Sequence, residues 1–173
     1  MLELVIGGAR SGKSHYAQQQ AAQSGLAVVY IATATVGDAE MQQRIAQHRA
    51  ERPTNWTTLE TPITLADSLT SHYTANNFII VDCLTLWLTN LLAASDEVYE
   101  RESKALLACL GQATAPIIFV SNEVGMGIVP MGALTRRFVD ETGRLHQQLA
   151  QQCHRVTQMI AGIANVIKDE YRN

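Results

Sequence analysis

Gly7-Gly8-Ala9-Arg10-Ser11-Gly12-Lys13-Ser14 decides how this chain reads. It has the spacing Gly-x-x-x-x-Gly-Lys-Ser, the Walker A pattern. The apolar run Leu2–Ile6 precedes it, and Ser14-His15-Tyr16-Ala17-Gln18 continues with helical character. A strand before and a helix after are the context this motif requires. Glycines let the backbone curl so that successive N–H groups face one anion, and the helix start adds the positive end of its dipole. Lys13 is expected to reach the β and γ phosphates of a nucleotide, and the Ser14 hydroxyl to bind Mg²⁺.

Outward from the loop, strand-like runs are expected at Leu2–Ile6, Ala27–Ala32, Phe78–Asp82, Ile117–Ser121 and Val156–Ala161. Each is short, apolar and mostly β-branched, which suits strands buried on both faces. Helical spacing is read over Lys13–Gln23, Asp38–Arg49, Ile63–His72, Thr85–Ala94, Glu97–Gly111 and Thr135–Gln152. The alternation predicts an α/β fold with a mostly parallel central sheet flanked by helices. One domain over residues 1–173 is expected. The segment Gly125-Met126-Gly127-Ile128-Val129-Pro130-Met131-Gly132 is expected to form a loop at the ligand edge of the sheet.

Composition narrows the partners. The chain has 173 residues, a net charge of −3 and only three lysines, Lys13, Lys104 and Lys168. That is not the footprint of a nucleic-acid binder, so a small-molecule partner is expected. The three cysteines, Cys83, Cys109 and Cys153, are widely spaced and contain no Cys-x-x-Cys. Reduced thiols in the cytoplasm are the plain reading. No basic leader opens the chain, and Phe78–Ala94 is too short and polar to span a bilayer, so no membrane insertion is expected.

Two further positions carry chemistry. Asp82 ends the run Phe78-Ile79-Ile80-Val81, as a Walker B aspartate would, on a strand expected to neighbour the phosphate loop. It would hold hydrated Mg²⁺ or a nucleotide hydroxyl; the other reading is a cap for the next helix. His48 follows Met41 and Ile45 at helical spacing, on the apolar face of a helix capped by Asp38. Taken alone, an inward histidine is more often a core residue with satisfied hydrogen bonds than a reactive one. Arg44, Arg49 and Arg52 surround it in sequence, and guanidinium groups pair bidentately with phosphate oxygens.

With these residues in hand, the chain resembles the bifunctional adenosylcobinamide kinase/adenosylcobinamide-phosphate guanylyltransferase family of cobalamin (vitamin B12) assembly. The resemblance runs through Tyr30-Ile31-Ala32-Thr33-Ala34, Arg44-Ile45-Ala46-Gln47-His48-Arg49-Ala50-Glu51-Arg52-Pro53, Trp56-Thr57-Thr58-Leu59-Glu60, Val81-Asp82-Cys83-Leu84-Thr85-Leu86-Trp87-Leu88-Thr89-Asn90 and Val120-Ser121-Asn122-Glu123-Val124-Gly125-Met126-Gly127-Ile128-Val129-Pro130. The string His-x-x-x-Arg-Pro-x-x-Trp-x-x-x-Glu at 48–60 is its specific part.

The resemblance implies two reactions. A nucleoside triphosphate, GTP or ATP, phosphorylates the aminopropanol hydroxyl of adenosylcobinamide. GTP then guanylylates a histidine, which by motif position is His48, and the GMP passes to adenosylcobinamide phosphate to give adenosylcobinamide-GDP. It implies nucleotide contacts at Gly7, Gly8, Ala9, Arg10, Ser11, Gly12, Lys13 and Ser14, at Ala32, Thr33 and Ala34, at Arg49, Ala50, Glu51 and Arg52, and at Glu60 and Asp82. Lys13 joins His48 in catalysis, and Ser14 and Asp82 hold Mg²⁺. A recombinase-type P-loop fold and a homotrimer are also implied. Ala164 stands where the family's Gly-x-Pro pattern leads one to expect proline, a change expected to touch a turn.

Three other readings compete. A plain P-loop kinase would use Lys13, Ser14 and Asp82 and leave His48 structural. A GTPase switch has only Asp140-Glu141-Thr142-Gly143 to offer, inside a helical stretch, and lacks Asn-Lys-x-Asp. A binding module without chemistry leaves His48 and its arginines unexplained. His15, His72, His146 and His154 are expected on solvated helix positions. Trp56 and Trp87 suit either the core or a corrinoid site.

Overall fold

The structure, a computed structural model, describes residues 1–35, 42, 43, 46, 49 and 52–171. The elements run β1 (Leu2–Gly7), α1 (Lys13–Gln23), β2 (Ala27–Ala32), β3 (Thr57–Glu60), α2 (Leu65–Thr70), β4 (Asn77–Asp82), α3 (Leu84–Ala94), α4 (Asp96–Cys109), β5 (Ile117–Asn122), α5 (Ala133–Gln152), β6 (Arg155–Ile160) and β7 (Ile163–Asp169). The seven strands lie in the order β3-β2-β4-β5-β1-β6-β7. All pairings are parallel except β6 with β7. The expected α/β architecture is therefore present.

Strand parity sorts the core. Leu2 and Leu4 of β1 join Val29, Ile31, Ile79, Val81, Ile117 and Phe119 on one face, packed by α2, α3, α4 and α5. Val5 joins Val28, Tyr30, Phe78, Ile80, Ile118 and Val120 on the other, against Ala17 and Ala21 of α1. The small alanines bring α1 close to the sheet. Strands buried on both faces explain the continuous apolar runs.

Trp87 is fully buried on α3, and its indole N–H donates to the Ile63 carbonyl at 2.7 Å, so it belongs to the core. Truncating such a residue to alanine costs about 3–5 kcal/mol. Trp56 is half-buried against the α1-side cluster. The three cysteines are free and buried. Burial pushes the Cys83 thiol up to about 11 and the Cys153 thiol up to about 12, and raises that of Cys109.

Several expectations need correction. β3 and β7 are strands that periodicity did not reveal. Asp82 ends β4, which is not beside β1; β5 lies between them. Ala164 pairs with Met159 inside β7, and the turn itself is Ala161-Gly162, both at positive φ. The expected helix over 38–49 lies largely outside the described residues, although Gln42, Gln43, Ala46 and Arg49 are helical. Met41, Arg44, Ile45, His48, Ala50 and Glu51 are also outside them. Asp140–Gly143 is helical, as expected, within α5.

Candidate active site at the carboxyl edge of the sheet

Parallel register gathers the candidate residues at one edge. Ala32 stands beside Glu60 on one side and Asp82 on the other. Asp82 stands beside Val120, and Gly7 lies between Asn122 and Met159. The carboxyl ends of β1 to β5 thus meet, which is where open α/β sheets bind ligands.

The loop after β1 is held by its own backbone and by the β6–β7 turn. Ser11 N–H donates to Gly8 O at 3.3 Å, and Gly162 N–H donates to Ser11 O at 3.0 Å. A Cβ on Gly7 would lie 2.4 Å from the Met159 carbonyl oxygen, so no larger residue fits without backbone movement. Gly12 caps α1 at φ 96, a left-handed conformation that costs glycine little. Gly8, Ala9 and Arg10 are exposed, and Ser14 is half-buried in the first turn of α1. Lys13 is buried, with its ammonium donating to Gly8 O at 2.6 Å and Ser11 Oγ at 3.4 Å. Burial lowers its pKa; the nearby Asp82 charge opposes that shift.

Asp82 is held from β2. The Tyr30 hydroxyl donates to its Oδ2 at 2.5 Å. Burial, then the carboxylate, push the Tyr30 phenol far above its usual range. The Arg52 guanidinium lies over the Tyr30 ring, 3.8 Å from its centroid. Arg49 pairs with Glu60 at 3.0 Å. Asp82 does not cap α3, whose N-cap is Cys83.

Thr33 serves the frame. Its hydroxyl donates to Cys83 O at 2.6 Å and accepts from Cys83 N–H at 3.0 Å, and the residue is fully buried. Asn90 donates to Thr33 O at 2.8 Å. Together they lock the residues after β2 to the end of β4, while Ala34 remains half-exposed.

Sequence reasoning missed a second polar cluster at the end of β5. His146 is not solvated: its Nε2 is 2.7 Å from Ser121 Oγ, and burial lowers its pKa against the charge of Glu123. Its position had a signal, since Thr142, Leu145, His146 and Leu149 share one face of α5. His154 also departs from expectation. It lies between α5 and β6, accepts from Leu2 N–H at 3.0 Å and stacks on Tyr171.

A hard cation fits the donor set. Mg²⁺ is usually held by one or two protein oxygens together with phosphates and water. Ser14 Oγ and the Asp82 carboxylate are oxygens of that kind. Among the described residues no group of three or more His, Cys, Asp or Glu side chains gathers as a metal cage. No described helix is long and apolar enough to cross a membrane.

Known proteins resemble this chain over nearly its whole length. The family model for cobinamide kinase / cobinamide phosphate guanyltransferase matches residues 3–167. The chain is 56% identical over 171 residues to the bifunctional adenosylcobalamin biosynthesis protein CobP of Pseudomonas aeruginosa, covering 98% of this chain and 99% of that one. It is 37% identical over 182 residues to the bifunctional adenosylcobalamin biosynthesis protein CobU of Escherichia coli, covering 97% of this chain and all of that one. Among solved structures, the RadB recombinase superposes with a TM-score of 0.57 at 18% identity, over 99% of this chain and 82% of its own. An ATPase of a type III secretion system superposes with a TM-score of 0.55 at 11% identity, over 95% of this chain and 56% of its own. These two likenesses are of fold alone.

Proposed function

Because the chain belongs to the cobinamide kinase / cobinamide phosphate guanyltransferase family, we propose that its carboxyl-edge site performs both reactions through one nucleotide cradle, with His48 as the guanylyl carrier. The chain is a bifunctional enzyme of adenosylcobalamin biosynthesis, a kinase and a nucleotidyltransferase.

The observation that carries the site assignment is the joining of the 48–60 string to the sheet edge. Arg49, next in sequence to His48, bonds to Glu60, and Arg52 covers the tyrosine that holds Asp82. His48 itself lies outside the described residues. In the guanylyl step, a neutral imidazole nitrogen attacks the α-phosphorus of GTP. The bond to the bridging oxygen breaks, and pyrophosphate leaves with the electron pair. Lys13 and the loop N–H groups face the charge that grows there, and arginines add to it. The GMP then passes from nitrogen to the phosphate oxygen of adenosylcobinamide phosphate. In the kinase step, Lys13 and the loop position the γ-phosphate for the aminopropanol hydroxyl. Mg²⁺, when bound by Ser14 and Asp82, would neutralise phosphate charge. The same reading includes a homotrimer in the cytoplasm.

The test is covalent capture. Protein incubated with Mg²⁺ and GTP labelled at the α-phosphate, then denatured, is expected to retain acid-labile, alkali-stable label. The His48→Ala variant is expected to retain none. Absence of label from wild-type protein that binds GTP would remove the covalent step and leave the plain kinase.

A further inference from the structure

The carboxyl edge holds one more carboxylate. Glu123 directly follows β5, the strand that separates the phosphate loop from the Asp82 strand. Its N–H donates to Gly7 O at 2.9 Å, which fixes it beside the first residue of the phosphate loop. Its side chain is half-buried, and Oε1 accepts from Gly125 N–H at 2.6 Å.

The support behind Glu123 is firm. Thr85 of α3 accepts from Asn122 N–H at 2.7 Å and lies 3.3 Å from Ser121 Oγ. Ser121 is buried and bonds to His146 of α5. Side chains from two helices therefore fasten the end of β5. Beyond Glu123 the chain opens into a loop where Met126, Ile128, Val129 and Met131 are largely exposed.

The other carboxylates that close this edge are engaged by side chains. Glu60 pairs with Arg49, and Asp82 accepts from Tyr30. Among the described residues, the Glu123 carboxylate is met by a backbone N–H alone. A phosphoryl transfer to an alcohol needs a proton acceptor within reach of the attacking hydroxyl, and kinases use a carboxylate for it.

We propose that Glu123 is the general base of the kinase reaction, an assignment that rests on the proposed function above. The substrate hydroxyl oxygen forms its bond to the γ-phosphorus. The bond from that phosphorus to the β–γ bridging oxygen breaks, and its electron pair leaves with the nucleoside diphosphate. The hydroxyl proton moves to the Glu123 carboxylate. The guanylyl transfer needs no such acceptor, because a neutral imidazole attacks there. Glu123 therefore serves one of the two reactions.

The experiment measures the two reactions separately on the full chain. Transfer of γ-label from ATP, and in parallel from GTP, to adenosylcobinamide reads the kinase. Retention of α-label from GTP, and its delivery to adenosylcobinamide phosphate, reads the guanylyltransferase. Glu123→Gln is expected to lower kinase kcat by about 100-fold or more, with guanylylation within about two-fold of wild type, which also reports an intact fold. Glu123→Asp is expected to recover part of the kinase kcat. Wild-type kinase kcat in Glu123→Gln, or equal loss of both reactions, would overturn the assignment. A wild-type protein that transfers no γ-label would instead overturn the proposed kinase function, and the assignment with it.

Discussion

The Tyr30 hydroxyl holds Oδ2 of Asp82 at 2.5 Å across adjacent parallel strands, while the Tyr30 ring carries the Arg52 guanidinium on its face. One side chain thus aims a carboxylate and seats a cation. A hydrogen bond to a charged group contributes about 1.5–3 kcal/mol when buried, less near water. Tyr30→Phe removes the bond and keeps the ring. Its affinity for the Mg²⁺–nucleotide complex, measured by calorimetry, is expected to fall about ten-fold, or ~1.4 kcal/mol. Unchanged affinity would mean that Asp82 does not depend on Tyr30.

Lys13 sets stability against binding. Its ammonium is buried, and burial disfavours its charge. Lys13→Met keeps the aliphatic stem and discards that charge. Thermal unfolding is expected to hold or to rise by up to about 4 °C, roughly 1 kcal/mol for a domain of this size. Nucleotide affinity is expected to fall by at least about 30-fold, ~2 kcal/mol. A K13M protein that binds nucleotide normally would remove Lys13 from the cradle.

Thr33→Val should cost more than its near-equal volume suggests. The substitution leaves the Cys83 N–H without its partner in a buried place, while the Cys83 carbonyl keeps its bond from Trp87 N–H. One buried donor left unmet costs about 1–3 kcal/mol. The urea midpoint is expected to drop with an unchanged slope. Thr33→Ser keeps the hydroxyl and is expected to stay within about 1.5 kcal/mol of wild type. Equal midpoints for Thr33→Val and wild type would show that the bond contributes nothing.

His146 gives stability an acid dependence of defined sign. Burial lowers its native pKa, while the unfolded chain keeps a value near 6.5. Below that value the unfolded state binds a proton that the native state refuses. Stability therefore falls as pH drops through about 6.5, and this contribution is flat above it. Chemical denaturation between pH 7 and pH 5 is expected to show a shallower decline for His146→Gln than for wild type. Parallel curves would place the acid sensitivity elsewhere.

Local pattern made much of the scaffold readable. The phosphate-loop string and the β-branched runs placed β1, α1 and β2 within a residue of their observed ends. β3 was not readable, because Thr57-Thr58-Leu59-Glu60 is a short, mixed-polarity edge strand that gains its identity only by pairing with β2. β7 is mostly exposed, so no burial pattern marks it, although Ala161-Gly162 between two apolar runs was a hairpin signal. Strand order is a long-range property, so the sequence could place Asp82 at a strand end but could not seat β5 between that strand and β1. The Ser121–His146 contact joins residues 25 apart and was hidden for the same reason. Tyr30 could be read as a core strand residue, whereas the hold of its hydroxyl on Asp82 emerged only from the parallel register.

The three buried thiols turn the enzyme into its own clock. Cys83, Cys109 and Cys153 lie under different parts of the sheet and helices, and their raised pKa values leave little thiolate at neutral pH. A water-soluble disulfide reagent must wait for each region to open before it can react. The three modification rates, resolved by peptide mass, therefore rank the opening of the α3 start, the α4 end and the start of β6 without any introduced probe. Cys83 adjoins Asp82, so a nucleotide that tightens this edge would slow one hand of the clock and leave the other two running.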